Sequence, residues 1–233
     1  MNILGKTYSA GYYTILFCLL VILLPYSIAL TNVMLISLAI LSLTNFIIRK
    51  IKFRKVDFRY VLPFVLLFLV YTIGVLYSSD TKEALRVLER RLPLLLVPLI
   101  VITSPLGKRG IKTILYAFAL SVAVCCFIAL LLTVVYFIQN PSEYYLEKAL
   151  WYLPQTIKFH APYLALYLVT SNIICYFFYS NKEKRASVAL LFLINNLFLF
   201  LLSSRTALFA NWLFIIALSS YYLYIHRGKL VVV

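Results

Sequence analysis

Long apolar stretches follow one another along this chain with little between them but short cationic runs, and that alternation constrains the fold more than any other feature. The stretches cover residues 12–30, 33–48, 60–77, 92–103, 114–138, 162–179, 188–202 and 206–225. A helix of about 20 mostly apolar residues crosses about 30 Å of hydrocarbon, so most of these are close to spanning length. Of the 233 residues, 64% are hydrophobic and only 12% charged, with a mean hydropathy of +0.98. A soluble domain is roughly 45–50% apolar and about 25% charged. A chain this apolar lacks the polar groups to cover its own surface, whereas lipid tails can cover it. The expectation is an all-α, polytopic membrane protein with about eight transmembrane helices, forming a single domain over residues 1–233.

The first two stretches predict a tight hairpin, with Pro25 near the outer end of the first helix and a turn at Thr31-Asn32. The long N-terminal stretch is followed directly by another and by no small-residue cleavage site, so it reads as a retained helix rather than a signal peptide. The fourth stretch is short, and Pro93 and Pro98 are expected to kink it or set its start. Only Ser203-Ser204-Arg205 separates the last two stretches.

The net charge of +15 would suggest nucleic acid in a soluble protein. Here the cations lie in short runs between apolar stretches, with no basic patch interleaved with aromatics, and nucleic acid is not an expected partner. With the N-terminus inside, fifteen of the 22 Lys and Arg fall on the inner side: Lys6, six over residues 49–59, Lys108, Arg109, Lys112, Lys182, Lys184, Arg185, Arg227 and Lys229. The positive-inside rule therefore favours both termini in the cytoplasm. The four cysteines, Cys18, Cys125, Cys126 and Cys175, all sit within apolar stretches without metal-ligand spacing. They read as small buried hydrophobes, and neither a metal site nor a cofactor is expected.

The chemistry-bearing residues are the exceptions to hydrophobicity, because an ionisable group near hydrocarbon costs ~2.5–3.5 kcal/mol on insertion scales. Arg205 stands at the outer mouth of the 203–205 turn, where little chain is available to reach water. A guanidinium presents a planar fork of donors that matches phosphate or pyrophosphate and keeps its charge. Ser203, Ser204 and Thr206 add hydroxyls, and a helix start adds free N–H groups. The competing reading is an arginine snorkelling to lipid headgroups.

From Asp80 to Arg91, Ala84, Leu85, Leu88 and Leu92 recur at helical spacing, with charged residues on the other faces. Asp80 and Glu83 have the spacing of a capping box, and the segment reads as an amphipathic helix in the outer interface. Its arginines could steer an anionic lipid-linked substrate or simply pair with Glu83 and Glu89. His160, just before a proline-containing helix start, is a weak candidate for a proton acceptor; a structural role is the alternative. Glu143 and Glu147 have no partner at a defined spacing, so paired-carboxylate glycosidic chemistry is not indicated.

Several short motifs together carry a resemblance: Leu24-Pro25-Tyr26-Ser27, Gly74-Val75-Leu76-Tyr77-Ser78, the run from Leu88-Glu89-Arg90-Arg91-Leu92-Pro93 to Pro98-Leu99, Phe159-His160-Ala161-Pro162-Tyr163, and Ser204-Arg205-Thr206-Ala207. In these the chain resembles the N-terminal part of the O-antigen ligase and O-antigen polymerase superfamily. Those proteins are multi-pass glycosyltransferases of the bacterial inner (cytoplasmic) membrane. They transfer a glycan from undecaprenyl pyrophosphate to an acceptor lipid or polysaccharide on the periplasmic side. The resemblance implies that Arg205 holds the carrier pyrophosphate; Ser204 beside it is a further binding candidate, and Arg90 and Arg91 are weaker candidates for steering the carrier. In the family a large periplasmic loop with a further Arg and a catalytic His follows, then more helices. The expectation is that more chain, or a partner chain, completes the site. His160 does not occupy the family's catalytic His position. Two other classes stay open: a catalytically inactive protein that binds lipid-linked glycan or scaffolds a complex, and a lipid or solute transporter.

Overall fold

The computed structural model describes residues 3–49, 59, 61–140, 154, 161–202 and 205–230. Among the described residues the protein is all-helical: α1 (Ile3–Leu23), α2 (Ile28–Arg49), α3 (Leu62–Leu76), α4 (Thr81–Thr103), α5 (Lys108–Gln139), α6 (Ala161–Ser180), α7 (Arg185–Leu201) and α8 (Arg205–Leu230). Two of these, α5 and α6, are long and apolar enough to cross a membrane. The apolar parts of α1, α2, α3, α7 and α8 are shorter, at 10–17 residues. The helices group into two compact units, residues 1–114 and 115–233, with the boundary inside α5.

In the first unit, α1 and α2 form the expected hairpin, but the turn lies at residues 24–27 rather than at Thr31-Asn32. Pro25 offers no N–H to continue α1. The Ser27 hydroxyl then accepts from the Leu30 N–H at 3.3 Å, which is the bond of an N-cap residue. Thr31 is already helical and donates its hydroxyl to the Ser27 carbonyl at 2.7 Å. Tyr13, Phe17 and Leu20 of α1 pack with Leu35 and Leu38 of α2 and Ile100 of α4. The Tyr13 hydroxyl donates to the Leu41 carbonyl at 3.1 Å, and the Ser42 and Thr103 hydroxyls are hydrogen-bonded between α2 and α4.

The amphipathic segment and the fourth apolar stretch, expected as separate helices, are one continuous α4. Asp80 starts it, its carboxylate accepting from the Lys82 and Glu83 N–H groups at 3.0 Å each. Pro93 and Pro98 both lie inside. Each removes the α-helical donor of the carbonyl four residues back, those of Glu89 and Leu94, without ending the helix. Helix α3 has no buried residue at all and packs against α4. The start of α5 comes close to α1: a Cβ at Gly110 would stand 2.7 Å from Thr14 Oγ1.

The second unit buries a few polar side chains within an otherwise apolar interior and exposes large apolar ones. Ser171 and Asn172 of α6, Asn195 of α7 and Asn211 of α8 are buried, whereas Leu193 (67%), Phe200 (71%) and Phe209 (66%) are well exposed. Asn172 Nδ2 donates to Asn211 Oδ1 at 2.9 Å, and Asn211 Nδ2 donates to Asn196 Oδ1 at 2.8 Å. Asn195 Nδ2 donates to Ser171 Oγ at 2.7 Å. These side chains tie three helices together, and edge-on ring contacts join α5 to α6 at Tyr116–Phe178 and Phe118–Tyr167.

The cations expected in loops lie partly within helix ends. Lys108, Arg109 and Lys112 are in the first turns of α5, Arg185 opens α7, and α8 continues through 226–229. Lys and Arg are good helix formers, and their long stems let the charge reach away from an apolar surface while the backbone stays helical.

Candidate functional site

The first unit holds an apolar groove of about 640 Å³ with arginines in its wall. Its construction follows from the sequence of α4. Asp80 fixes where the helix begins, and 3.6 residues per turn then align Arg90, Leu94, Val97 and Val101 in one stripe. Arg91, Pro98 and Ile102 form the neighbouring stripe. Both stripes line the groove, together with Pro93 and with Phe64 of α3.

The Arg91 guanidinium carbon lies 5.4 Å from the centroid of the Tyr71 ring on α3, within cation–π range. The ring thus holds one of the two charges at the groove rather than leaving it to swing into solvent. Arg86, one turn earlier, is engaged differently: its Nη1 lies 3.2 Å from Glu83 Oε2. The two readings of the arginine-rich segment therefore divide by position, with Arg86 in an ion pair and Arg90 and Arg91 at the groove. An apolar trough ending in two guanidinium groups suits an amphiphile with an apolar tail and an anionic head. None of the groove-lining residues is a nucleophile or a general base, so this is a place to hold a ligand.

The other sequence-derived site residues are placed less fully. Arg205 is the first residue of α8, but its side chain is outside the described residues, as are Ser203, Ser204 and His160. Cys125, Cys126 and Cys175 are buried and Cys18 is half-buried, and none of the four is in a disulfide. Among the described residues, no three His, Cys, Asp or Glu side chains cluster as metal ligands. Sequence reasoning missed Tyr71, which reads as one more apolar residue of a span. It took Pro93 and Pro98 for kinks and not for groove walls. The stripe Arg90–Leu94–Val97–Val101 was available as a signal once the two segments were joined into one helix.

No protein family, curated protein or solved structure matches the chain. The functional reading therefore rests on this groove and on the sequence pattern.

Proposed function

We propose that this chain is a multi-pass protein of the bacterial inner membrane, with about eight spans and cytoplasmic termini, that binds a polyprenyl-pyrophosphate-linked glycan on the periplasmic side. Its activity is transfer of that glycan to an acceptor lipid or polysaccharide, as in the O-antigen ligases and polymerases it resembles. The observation that carries the reading is the α3–α4 groove, in which an apolar trough meets Arg90 and Arg91. The membrane setting is supported by the large apolar side chains exposed on the second unit and by the hydrogen-bonded amides buried within it. Buried amides beneath exposed Leu and Phe are what lipid, rather than water, requires of a protein surface.

In the transfer, an acceptor hydroxyl attacks the anomeric carbon and the bond from that carbon to the phosphate oxygen breaks. The polyprenyl pyrophosphate leaves with the bonding electrons, and the hydroxyl proton passes to a base. Guanidinium groups stabilise the charge that develops on the leaving pyrophosphate. Arg205 is assigned to the pyrophosphate leaving group, and Arg90 and Arg91, at the groove, to steering the carrier.

Two assays on the full chain test this. In detergent, Arg90→Ala together with Arg91→Ala is expected to weaken binding of polyprenyl pyrophosphate at least tenfold, from the loss of two charge-assisted contacts worth about 1.5–3 kcal/mol each. Unchanged binding sinks the groove assignment. In cells, Arg205→Ala is expected to abolish surface-glycan transfer while leaving membrane insertion intact. Carrier binding by the unaltered chain with no transfer, even beside a complete partner, identifies a binding protein rather than a transferase.

A further inference from the structure

The second unit holds a separate apolar groove of about 380 Å³ between α6 and α7, within the volume range of small-ligand sites. Its deep end is at Cys175 and Phe192. Its other end is at Tyr179 and Val188, next to the turn that joins the two helices. That turn carries Lys182, Lys184 and Arg185 against the single acid Glu183.

Both Lys184 and Arg185 are held near the turn by rings, one of which also lines the groove. The Arg185 guanidinium carbon is 5.6 Å from the centroid of Tyr179, so one ring both lines the groove and carries a charge at its mouth. The Lys184 ammonium lies 3.4 Å from the centroid of Tyr116 on α5. Lys182 and Lys184 both have left-handed backbones, at φ 61° and 48°, a conformation that costs non-glycine residues about 1–3 kcal/mol. Lys184 also stands at the start of α7 without a side-chain cap bond, so the first N–H groups of that helix face the same region as the cations.

We propose that this groove holds an acyl chain of an anionic phospholipid, whose phosphate is bound at the α6–α7 turn by Lys184 and Arg185. The inference rests on the membrane setting proposed above, but not on the α3–α4 groove or on any transfer activity. The charge decides the occupant. A neutral lipid would fill the trough equally well but gain nothing from the two cations, while a soluble anion would gain from the cations and leave the trough unused. On the topology argued from Lys and Arg placement, this is the cytoplasmic leaflet, where anionic headgroups favour basic segments by about 1 kcal/mol per cation.

The test is native mass spectrometry of the full chain in detergent, with phosphatidylglycerol or phosphatidylcholine carrying the same acyl chains. Phosphatidylglycerol is expected to be retained at roughly tenfold lower concentration. Lys184→Gln with Arg185→Gln is expected to bring the two lipids level, and Ala189→Trp, which fills the groove, to weaken both. Lys184→Arg with Arg185→Lys keeps both charges and is expected to keep the preference, which guards against misfolding as the cause of loss. Equal retention of the two lipids by the unaltered chain overturns the proposal. So does a preference that survives the double glutamine change, or displacement of the lipid by inorganic phosphate alone. Arg90→Ala with Arg91→Ala is expected to leave the phosphatidylglycerol preference unchanged. Failure at the α3–α4 groove and failure here are thus read separately, whereas a chain recovered outside membranes overturns both.

Discussion

Two residues on α4 show how position on a helix decides the role of a charge. Arg86 and Arg90 are one turn apart, yet Arg86 is 3.2 Å from a carboxylate and Arg90 lines an apolar groove. Tyr71 completes the second arrangement by placing a ring beneath Arg91. Tyr71→Leu keeps the apolar volume but removes the ring face, and a cation–π contact at an exposed site is worth ~0.5–1 kcal/mol. Carrier binding is therefore expected to fall roughly two- to fivefold, measured by titration with polyprenyl pyrophosphate, with an unchanged unfolding temperature. Asp80 tests a local structural role instead. Asp80→Ala removes the acceptor for two backbone N–H groups and is expected to cost about 1 kcal/mol of stability, read as loss of helix at the α4 start by hydrogen exchange. Sequence spacing disclosed the cap, because Asp and Glu three apart before an apolar run is a local signal. It could not disclose Tyr71, whose role depends on a helix some 20 residues away in sequence.

At the scale of the helix, proline and serine chemistry explains both what was legible and what was not. Among the described residues, hydropathy located each of the eight helices, since each is built on an apolar stretch. Their ends followed backbone hydrogen bonding instead. Ser27 supplies an acceptor where Pro25 has removed a donor, and so the α1–α2 turn comes earlier than the polar pair Thr31-Asn32 suggests. In α4 the charged and apolar halves differ so sharply in composition that they read as two elements, yet Pro93 does not break the helix between them. The close approach of α5 to α1 gives a third prediction. Gly110→Val would push a side chain into Thr14, with the nearest atom 2.7 Å from the new Cβ. The expected loss is about 1–3 kcal/mol, seen as a lower unfolding temperature in detergent, and Gly110→Val behaving like the unaltered protein would show that Thr14 yields freely.

At the scale of the whole chain, the polar side chains buried and paired within the second unit are the feature with most bearing on stability. Between helices in lipid, apolar burial provides little net drive, and packing and interhelical hydrogen bonds take its place. Asn211 links Asn172 to Asn196, so Asn211→Leu strands a donor on one neighbour and an acceptor on the other. A loss of about 1–3 kcal/mol is expected, measured by thermal unfolding in detergent. The asparagines were visible in the sequence as polar outliers, but which of them meet depends on helix rotation that no single stripe fixes. The candidate site was half legible in the same way: Arg90 and Arg91 stood out by charge, whereas the trough beside them needed α3 in place.

Helix α3 has no interior of its own. A wall with no buried residue can shift outward with little disturbance of the core, because its main packing is against α4. The groove it closes is therefore adjustable in width but fixed in charge, since the arginines belong to the anchored side. Such a seat is indiscriminate about the girth and branching of a hydrocarbon tail and exacting about the head. On the proposed function, discrimination among carriers would fall on the anion, and the outer surface of α3 would be free to drift among apolar residues without altering what is recognised.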